Sequence, residues 1–316
     1  MSTAPTEQQL LGYFDSLSNW GRWGDDDERG TLNFITPAKV AEASRAVVDG
    51  VSVGCARPIV FEGSVPDVLI PPQRFMISTH EPSPDARGGL LAPVPATASD
   101  FLAIAPHGVT TTHVDTLSHF SRLGRMYNGV KVSAVSTLLG ATRLSVTTMK
   151  DGVVTRGVLL DIARLKGRPY LDAGEGIFPD DLEAAEAAED VTIGAGDALL
   201  IRTGWYRRRV ELGAYPERLH RPGLHAATLP WLHERQVALI AADAANDVGP
   251  SGYEVLMQPV HAVGTVAMGL CIINVCDFES LSQACASRSR WSFMFVVAPL
   301  NWPGATASPV TPLAIL

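Results

Sequence analysis

Apolar and polar positions recur along this chain with two different periods, and the changes of period mark its elements. Ala38–Val48 carries apolar residues at Val40, Ala43, Ala46 and Val47, a helical spacing. Thr36 stands where a cap is needed and Pro37 at the first helical position, where its missing N–H costs nothing. Asp180–Glu189, opening after Pro179, predicts an acidic helix, and Leu229–Gln236 and Pro259–Leu270 read as helices too. Short unbroken apolar runs predict buried strands at Val158–Asp161, Ala198–Ile201, Val237–Ala241, Cys271–Val275 and Phe293–Ala298. Val51–Pro58 reads as a further short strand, Tyr127-Asn128-Gly129 as a turn, and the proline-containing residues 62–100 mostly as loop.

Strands alternating with helices predict an α/β or α+β fold rather than an all-β one. No repeat, low-complexity tract or linker divides the 316 residues. One domain over 1–316 is expected, with an N-terminal arm over about residues 1–35. That arm holds Trp20, Trp23 and the acidic run Asp25-Asp26-Asp27-Glu28.

Composition narrows the function classes. A 46% hydrophobic chain of this length can bury a large core, and 28 Gly with 22 Pro favour many loops over a helical bundle. Net charge is −8, and the one basic cluster, Arg207-Arg208-Arg209, fits a solvated helix face. A nucleic-acid partner needs a basic footprint and is not expected. The longest apolar stretches, Val263–Val275 and Phe293–Leu300, are too short to span a membrane. The first residues show neither a basic nor an apolar signal region, so a cytoplasmic location is expected. Cys55, Cys271, Cys276 and Cys285 form no Cys-x2-Cys pair and read as core thiols rather than a structural zinc site. Dinucleotide, phosphate-loop and Gly-x-Ser-x-Gly motifs are absent.

The chemistry is concentrated in His107-Gly-Val-Thr-Thr-Thr-His113-Val-Asp115-Thr-Leu-Ser-His119, three of the eight histidines and an aspartate within thirteen residues. In an extended segment His113 and Asp115 share a face, so both can aim at one ion. Imidazole and carboxylate together suit zinc or manganese. His119 is placed to ligate or to act as a general base, and His107 comes within reach if Gly108–Thr112 folds back. Phe101–Ala105 and Phe120 suggest partial burial, where polar groups need partners that a shared cation would supply. Trp20, Trp23, Phe34 and Tyr127 are candidate pocket walls for a flat substrate.

Thr112-His113-Val-Asp115-Thr-Leu-Ser-His119 resembles the Thr-His-x-Asp-x-x-x-His signature of the cyclase-type metal-dependent hydrolases, a superfamily that includes kynurenine formamidase and isatin hydrolase. Further segments are similar to its longer members: Asn19–Gly24, Gly30–Asn33, Arg156–Asp161, Gly196–Asp197 through Arg202–Trp205, Gly304–Thr306 and Ser308-Pro309. The resemblance implies a swivelling β/β/α domain, a mixed sheet with flanking helices, assembled as a homodimer or homotetramer. It implies a Zn or Mn centre that hydrolyses an amide, lactam or related acyl bond of a small molecule. His113 and Asp115 match metal ligands, and His119 the histidine that handles protons. The family's histidine four residues before His113 falls on Val109, leaving His107 as its nearest substitute. His261, ahead of Met268-Gly-Leu270, resembles a further ligand or substrate contact, and the acidic ligand of two-metal members falls on Asn274, which favours one ion. The alternatives are a metal-dependent lyase, dehydratase or isomerase acting on a small carbonyl acid, or a non-catalytic small-molecule binder.

Overall fold

Four of the predicted apolar runs form parallel neighbours at the centre of one sheet, because a helical crossover joins each to the next. In the computed structural model, which describes residues 3–61, 68, 70–80, 97–215 and 219–316, Val153–Asp161, Ala198–Arg202, Leu239–Ala242 and Cys271–Asn274 pair in parallel in that order. The helices Pro179–Glu189, Leu229–Glu234 and Pro259–Val263 lie between them in sequence, as parallel pairing requires.

Antiparallel strands extend both sides. Ser292–Val297, Leu313–Ile315 and Ser52–Gly54 continue from Val153–Asp161. On the other side, His113–Asp115 pairs with Cys271–Asn274, and Ala307–Pro309 completes nine strands. The result is a mixed α/β architecture, a large mixed sheet with flanking helices.

Strand alternation divides the apolar side chains between two cores. Val158, Leu160, Leu199, Ile201, Ile240 and Ile272 pack on one face, while Leu159, Leu200, Ala241, Ile273, Phe293 and Phe295 pack on the other. All four cysteines are buried free thiols, and burial pushes the Cys55 thiol up to about 12. Among the described residues no helix is long and apolar enough to cross a membrane.

The Thr36–Pro37 start is observed: the Thr36 side chain accepts from Lys39 N, but the helix ends at Ser44 rather than Val48. The Pro259–Leu270 stretch is one α-helical segment to Val263 continued by a π-helical turn, Gly264–Met268. Residues 62–100 are not simply loop. Gln73–Ser78 pairs antiparallel with Ser99–Ala103 as a separate hairpin, while 62–67, 69 and 81–96 lie outside the described residues. The N-terminal arm contains a helix, Glu7–Ser16, closed by a reciprocal Thr6–Gln9 capping box. The arm then presses Gly30 against Gly269, both at positive φ, and a side chain on Gly269 would overlap Gly30 and Tyr127. Thr31 N donates to Gly269 O at 2.9 Å across this contact.

Candidate metal centre

The site lies where the carboxyl end of Cys271–Asn274 meets the antiparallel strand His113–Asp115. Register does most of the placing: His113 stands opposite Asn274, and Asp115 opposite Ile272. His113 and Asp115 therefore project to one face, with Asn274 beside them, while Val114 enters the core on the other. His113, Asp115, His261 and Asn274 are all buried.

Three imidazoles face the same carboxylate oxygen. Asp115 Oδ1 lies 3.0 Å from His107 Nδ1, 3.5 Å from His113 Nε2 and 4.0 Å from His119 Nε2. The donor atoms of His107, Asp115 and His119 all fall within 4.8 Å of one another. His107 stacks on His119 with centroids 3.8 Å apart. The segment before His113 thus does fold back far enough to bring His107 to Asp115.

Each ring's other nitrogen is engaged elsewhere where the structure records it. His113 Nδ1 meets Thr111 O at 2.7 Å, which puts its proton on Nδ1 and leaves the Nε2 lone pair facing Asp115. His107 Nε2 hydrogen-bonds Thr306 Oγ1 at 3.0 Å. Asp115 Oδ1 and His107 Nδ1 are buried and make no hydrogen bond with each other or with any other group. Leaving such atoms unsatisfied in a low-dielectric interior is costly. A cation among these nitrogens and this oxygen would satisfy all of them, so the donor set fits a divalent ion.

The second oxygen of Asp115 has a different environment. Asn274 Nδ2 donates to Asp115 Oδ2 at 2.8 Å and lies 3.1 Å from His261 Nε2. The amide cannot turn over, because Asn274 Oδ1 accepts from Asn246 N and Nδ2 at 3.1 and 2.9 Å. His261 Nδ1 makes a short contact with Asp247, which also accepts from Val260 N and His261 N. His261 is therefore clamped between Asp247 and Asn274, 3.5 Å from Asp115 Oδ2.

Electrostatics follow this packing. Burial would raise the Asp115 carboxyl, but the surrounding imidazoles hold it well below the ordinary carboxylate range. Burial lowers His119 to about 4 and lowers His113 as well, despite the attraction of Asp115. Burial opposes protonation of His261, yet its contacts with Asp115 and Asp247 raise it to about 9.

Above these residues opens a cavity of about 500 Å³, a small-molecule size. Its walls include Phe120, Arg221, Tyr253 and Met257. The wall segment is held from outside: Glu7 carboxylate oxygens accept from Glu254 N and Val255 N at 3.2 and 3.0 Å, and Tyr253 Oη donates to Pro5 O at 3.0 Å.

The four aromatic residues expected at the pocket lie elsewhere. Trp20 Nε1 donates to Val266 O at 2.7 Å, and Tyr127, fully buried, donates to Asp27 at 3.0 Å. Trp23 and Phe34 meet edge to face at 5.0 Å, with the Arg22 guanidinium against both. Trp20 and Tyr127 fasten the N-terminal arm to the body, Trp23 and Phe34 pack within the arm, and the aromatic walls are Phe120 and Tyr253 instead. Asp247 is a site residue that the sequence reading passed over. Its signal was three polar residues, Asp243, Asn246 and Asp247, just past the end of a buried strand in an α/β pattern, where such folds place ligands.

The Cyclase family model matches residues 58–246. A solved structure described as a novel cyclase is 32% identical, covering 96% of this chain and 99% of its own, with a TM-score of 0.83. This chain belongs to the Cyclase family. Two further structures share its fold at lower identity. An isatin hydrolase bound to the product analogue thioisatinate is 20% identical, over 88% of this chain and 95% of its own, at a TM-score of 0.58. Isatin hydrolase A from Ralstonia solanacearum is 21% identical, over 99% of this chain and 98% of its own, at the same score. No curated protein matches the chain. The family match begins just past the first sheet strand, Ser52–Gly54, and takes in the whole His107–His119 cluster, but stops before His261 and Asn274.

Proposed function

We propose that this Cyclase-family protein is a divalent-metal-dependent hydrolase of an amide, lactam or related acyl bond in a small, flat substrate. The observation that carries this reading is the convergence of His107, His113 and His119 on an otherwise unsatisfied Asp115 oxygen at the floor of a cavity. His107, His113 and Asp115 would hold one ion, Zn or Mn. When bound there, such an ion supplies a Lewis acid for a carbonyl oxygen and lowers the pKa of water from ~15.7 toward ~7.

The chain's own groups supply the rest. His119 is neutral at physiological pH because burial lowers it to about 4, so its free nitrogen can take a proton from attacking water. It then returns that proton to the leaving nitrogen or oxygen. Thr111 O fixes the His113 tautomer, and Asn274 fixes Asp115 Oδ2 so that Oδ1 keeps its aim. Phe120 and Tyr253 flank the space where a planar group would lie. The amide at position 274 supports one ion rather than two, since its NH2 points at the site.

The test is elemental analysis with turnover. The purified protein should carry close to one equivalent of a divalent ion, and Asp115→Ala should carry none. Chelation should abolish hydrolysis of a panel of aromatic lactams and formamides, and Mn²⁺ or Zn²⁺ should restore it. His119→Ala should retain the ion and lose roughly 10²–10⁴-fold in rate, the usual worth of a general acid–base. Full turnover in verified metal-free protein would refute the reading. Incorporation of ¹⁸O from water into the product separates hydrolysis from lyase or isomerase chemistry.

A further inference from the structure

The Arg207-Arg208-Arg209 run does not lie wholly on a solvated helix face. Of the three, carried by the helix Trp205–Leu212, only Arg207 is exposed, and it pairs with Glu211 at 2.7 Å. Arg208 and Arg209 are half-buried and line a small side pocket. Arg57 and Arg221, both buried, line the same space, and Trp205 and Tyr215 add two rings to it. Four guanidinium groups thus meet in one pocket, and no carboxylate lines it among the described residues. Its free space of about 30 Å³ holds roughly two water-sized groups, the size of a carboxylate's two oxygens.

Among the described residues, the groups that Arg57 and Arg208 contact are all neutral. Arg57 Nε and Nη1 donate to Cys276 O and Val109 O, each at 3.2 Å, and Nη2 donates to the Asp243 carbonyl. The Asp243 carboxylate attracts Arg57, but its oxygens accept from Thr203 N, Thr203 Oγ1 and Gly204 N. Burial lowers Arg57 to about 10 against that attraction, and the like charge of Arg209 adds to the fall. Arg208 Nη1 donates to Gly213 O at 3.0 Å, and its guanidinium lies 5.0 and 4.7 Å from the Trp205 and Tyr215 rings. A buried cation without a counter-charge is costly, and guanidinium forks match the two oxygens of a carboxylate.

The pocket adjoins the large cavity, because Val109, Arg221 and Ala245 line both. We infer that it is an anion subsite that takes a carboxylate, carried either by the substrate or by a free small anion. The first source rests on the hydrolase reading above; the second does not. Occupancy would also bear on the histidine cluster. Arg57 N donates to Thr112 Oγ1 at 2.9 Å and its guanidinium to Val109 O, so Arg57 holds both ends of the stretch between His107 and His113. A carboxylate in the pocket would neutralise the group that fixes this stretch. Because Arg57 carries that structural load, the test leaves it in place and alters the helix arginines.

Calorimetry with sodium formate tests the pocket, on metal-stripped full-length protein in chloride-free HEPES at constant ionic strength. Formate should raise the melting temperature saturably, by roughly 3 °C at ten times its dissociation constant. Arg208→Met/Arg209→Met should lose that shift, while Arg207→Met and Asp115→Ala should keep it. The Asp115→Ala arm reads the pocket even if the hydrolase reading fails. Circular dichroism confirms folding, and Arg208→Gln replaces the double variant should that fail to fold. Kinetics on metal-loaded protein then separates the two sources, with paired substrates that differ by one ring carboxylate. If the substrate supplies the anion, the arginine variant should raise KM at least roughly tenfold more for the carboxylate-bearing member, the usual worth of a charge-assisted hydrogen bond. Such selectivity assigns the pocket to the substrate; a lost formate shift without it assigns the pocket to a free anion. With no selectivity in KM, a formate shift that is absent from the wild type or survives the arginine substitutions would overturn the subsite.

Discussion

Replacing Asn274 with aspartate would put two carboxylates face to face beneath the cavity. The amide nitrogen now donates to Asp115 Oδ2 at 2.8 Å, and both side chains are buried. Two unit charges at that separation repel by about 6 kcal/mol at an effective dielectric of 20. The pair can escape by keeping one proton, which at pH 7 costs about 4 kcal/mol for a carboxyl of ordinary pKa near 4. The shared proton regains part of this as a hydrogen bond, and His261, raised to about 9 beside position 274, offsets part of the repulsion, so metal-free Asn274→Asp should lose about 2–4 kcal/mol. At about 2 °C per kcal/mol for a chain of this size, the melting temperature should fall by roughly 4–8 °C. The sign with pH is fixed. The retained proton belongs to a carboxyl whose folded pKa is raised, so the deficit grows as pH rises from 5 and shrinks as it falls. Excess Mn²⁺ or Zn²⁺ should recover most of the loss, because a second carboxylate is a ligand where an amide NH2 is not. Calorimetry at pH 5.5 and 7.5, with chelator and with metal, reads all four states. A metal-free variant that melts within about 1 °C of wild type at pH 7.5 would mean that no donor–acceptor contact exists at this position, and the one-ion argument would lose its basis.

Two further outcomes concern buried charge away from the site. Arg202 donates to Asp161 at 2.8 Å and to both Glu279 oxygens at 2.8 and 2.9 Å, so Arg202→Met strands two carboxylates and should cost about 3–5 kcal/mol in urea denaturation. The exposed Arg207–Glu211 pair is the control, where Arg207→Met should cost roughly 0.5 kcal/mol or less. Burial raises the Glu189 carboxyl to about 8, and its Oε2 has no hydrogen-bond partner. A raised folded pKa means that stability is full at low pH and is lost as pH rises from about 4.5 to about 8. Glu189→Gln should remove that decline, on the order of a few kcal/mol, in melting temperatures compared at pH 5 and pH 8; an unchanged slope would assign it to other groups.

The parallel centre of the sheet was legible because its strands are short apolar runs separated by helix signals, and burial on both faces leaves them no other reading. Of the flanking strands, Ser292–Val297 and Ser52–Gly54 were legible too, but two others were not. Leu313–Ile315 and Ala307–Pro309 are three residues long, too short for any period to show. The helix Glu7–Ser16 did carry a signal, Thr6 and Gln9 at capping-box spacing, but only two of its residues are buried, so its apolar pattern is faint. The hairpin was hidden by its own exposure: Arg-Phe-Met-Ile does not alternate, since neither face is buried within the chain. The aromatic candidates failed for a chemical reason. A ring with a polar tip serves equally as a pocket wall or as an internal strut, and Trp20 and Tyr127 use their N–H and O–H to tie the arm to the body.

At the site itself, the pairing of His113 with Asp115 follows from strand geometry alone, whereas their division of labour needed the register. Position 274 read as a missing carboxylate, a loss. In the fold it is a donor whose amide is locked by Asn246 and whose NH2 engages one oxygen of Asp115. That leaves the two oxygens unequal. Oδ2 is held by a neutral donor and sits beside His261, itself tied to Asp247. Oδ1 faces three imidazoles and makes no hydrogen bond. A carboxylate that bridges two ions has to offer both oxygens. One whose second oxygen is already committed can aim the first at a single ion without the rotational freedom that would weaken its grip. On the proposed one-ion reading, the amide does structural work for that metal position in the same act by which it gives up another, and the aspartate substitution at 274 separates those two consequences.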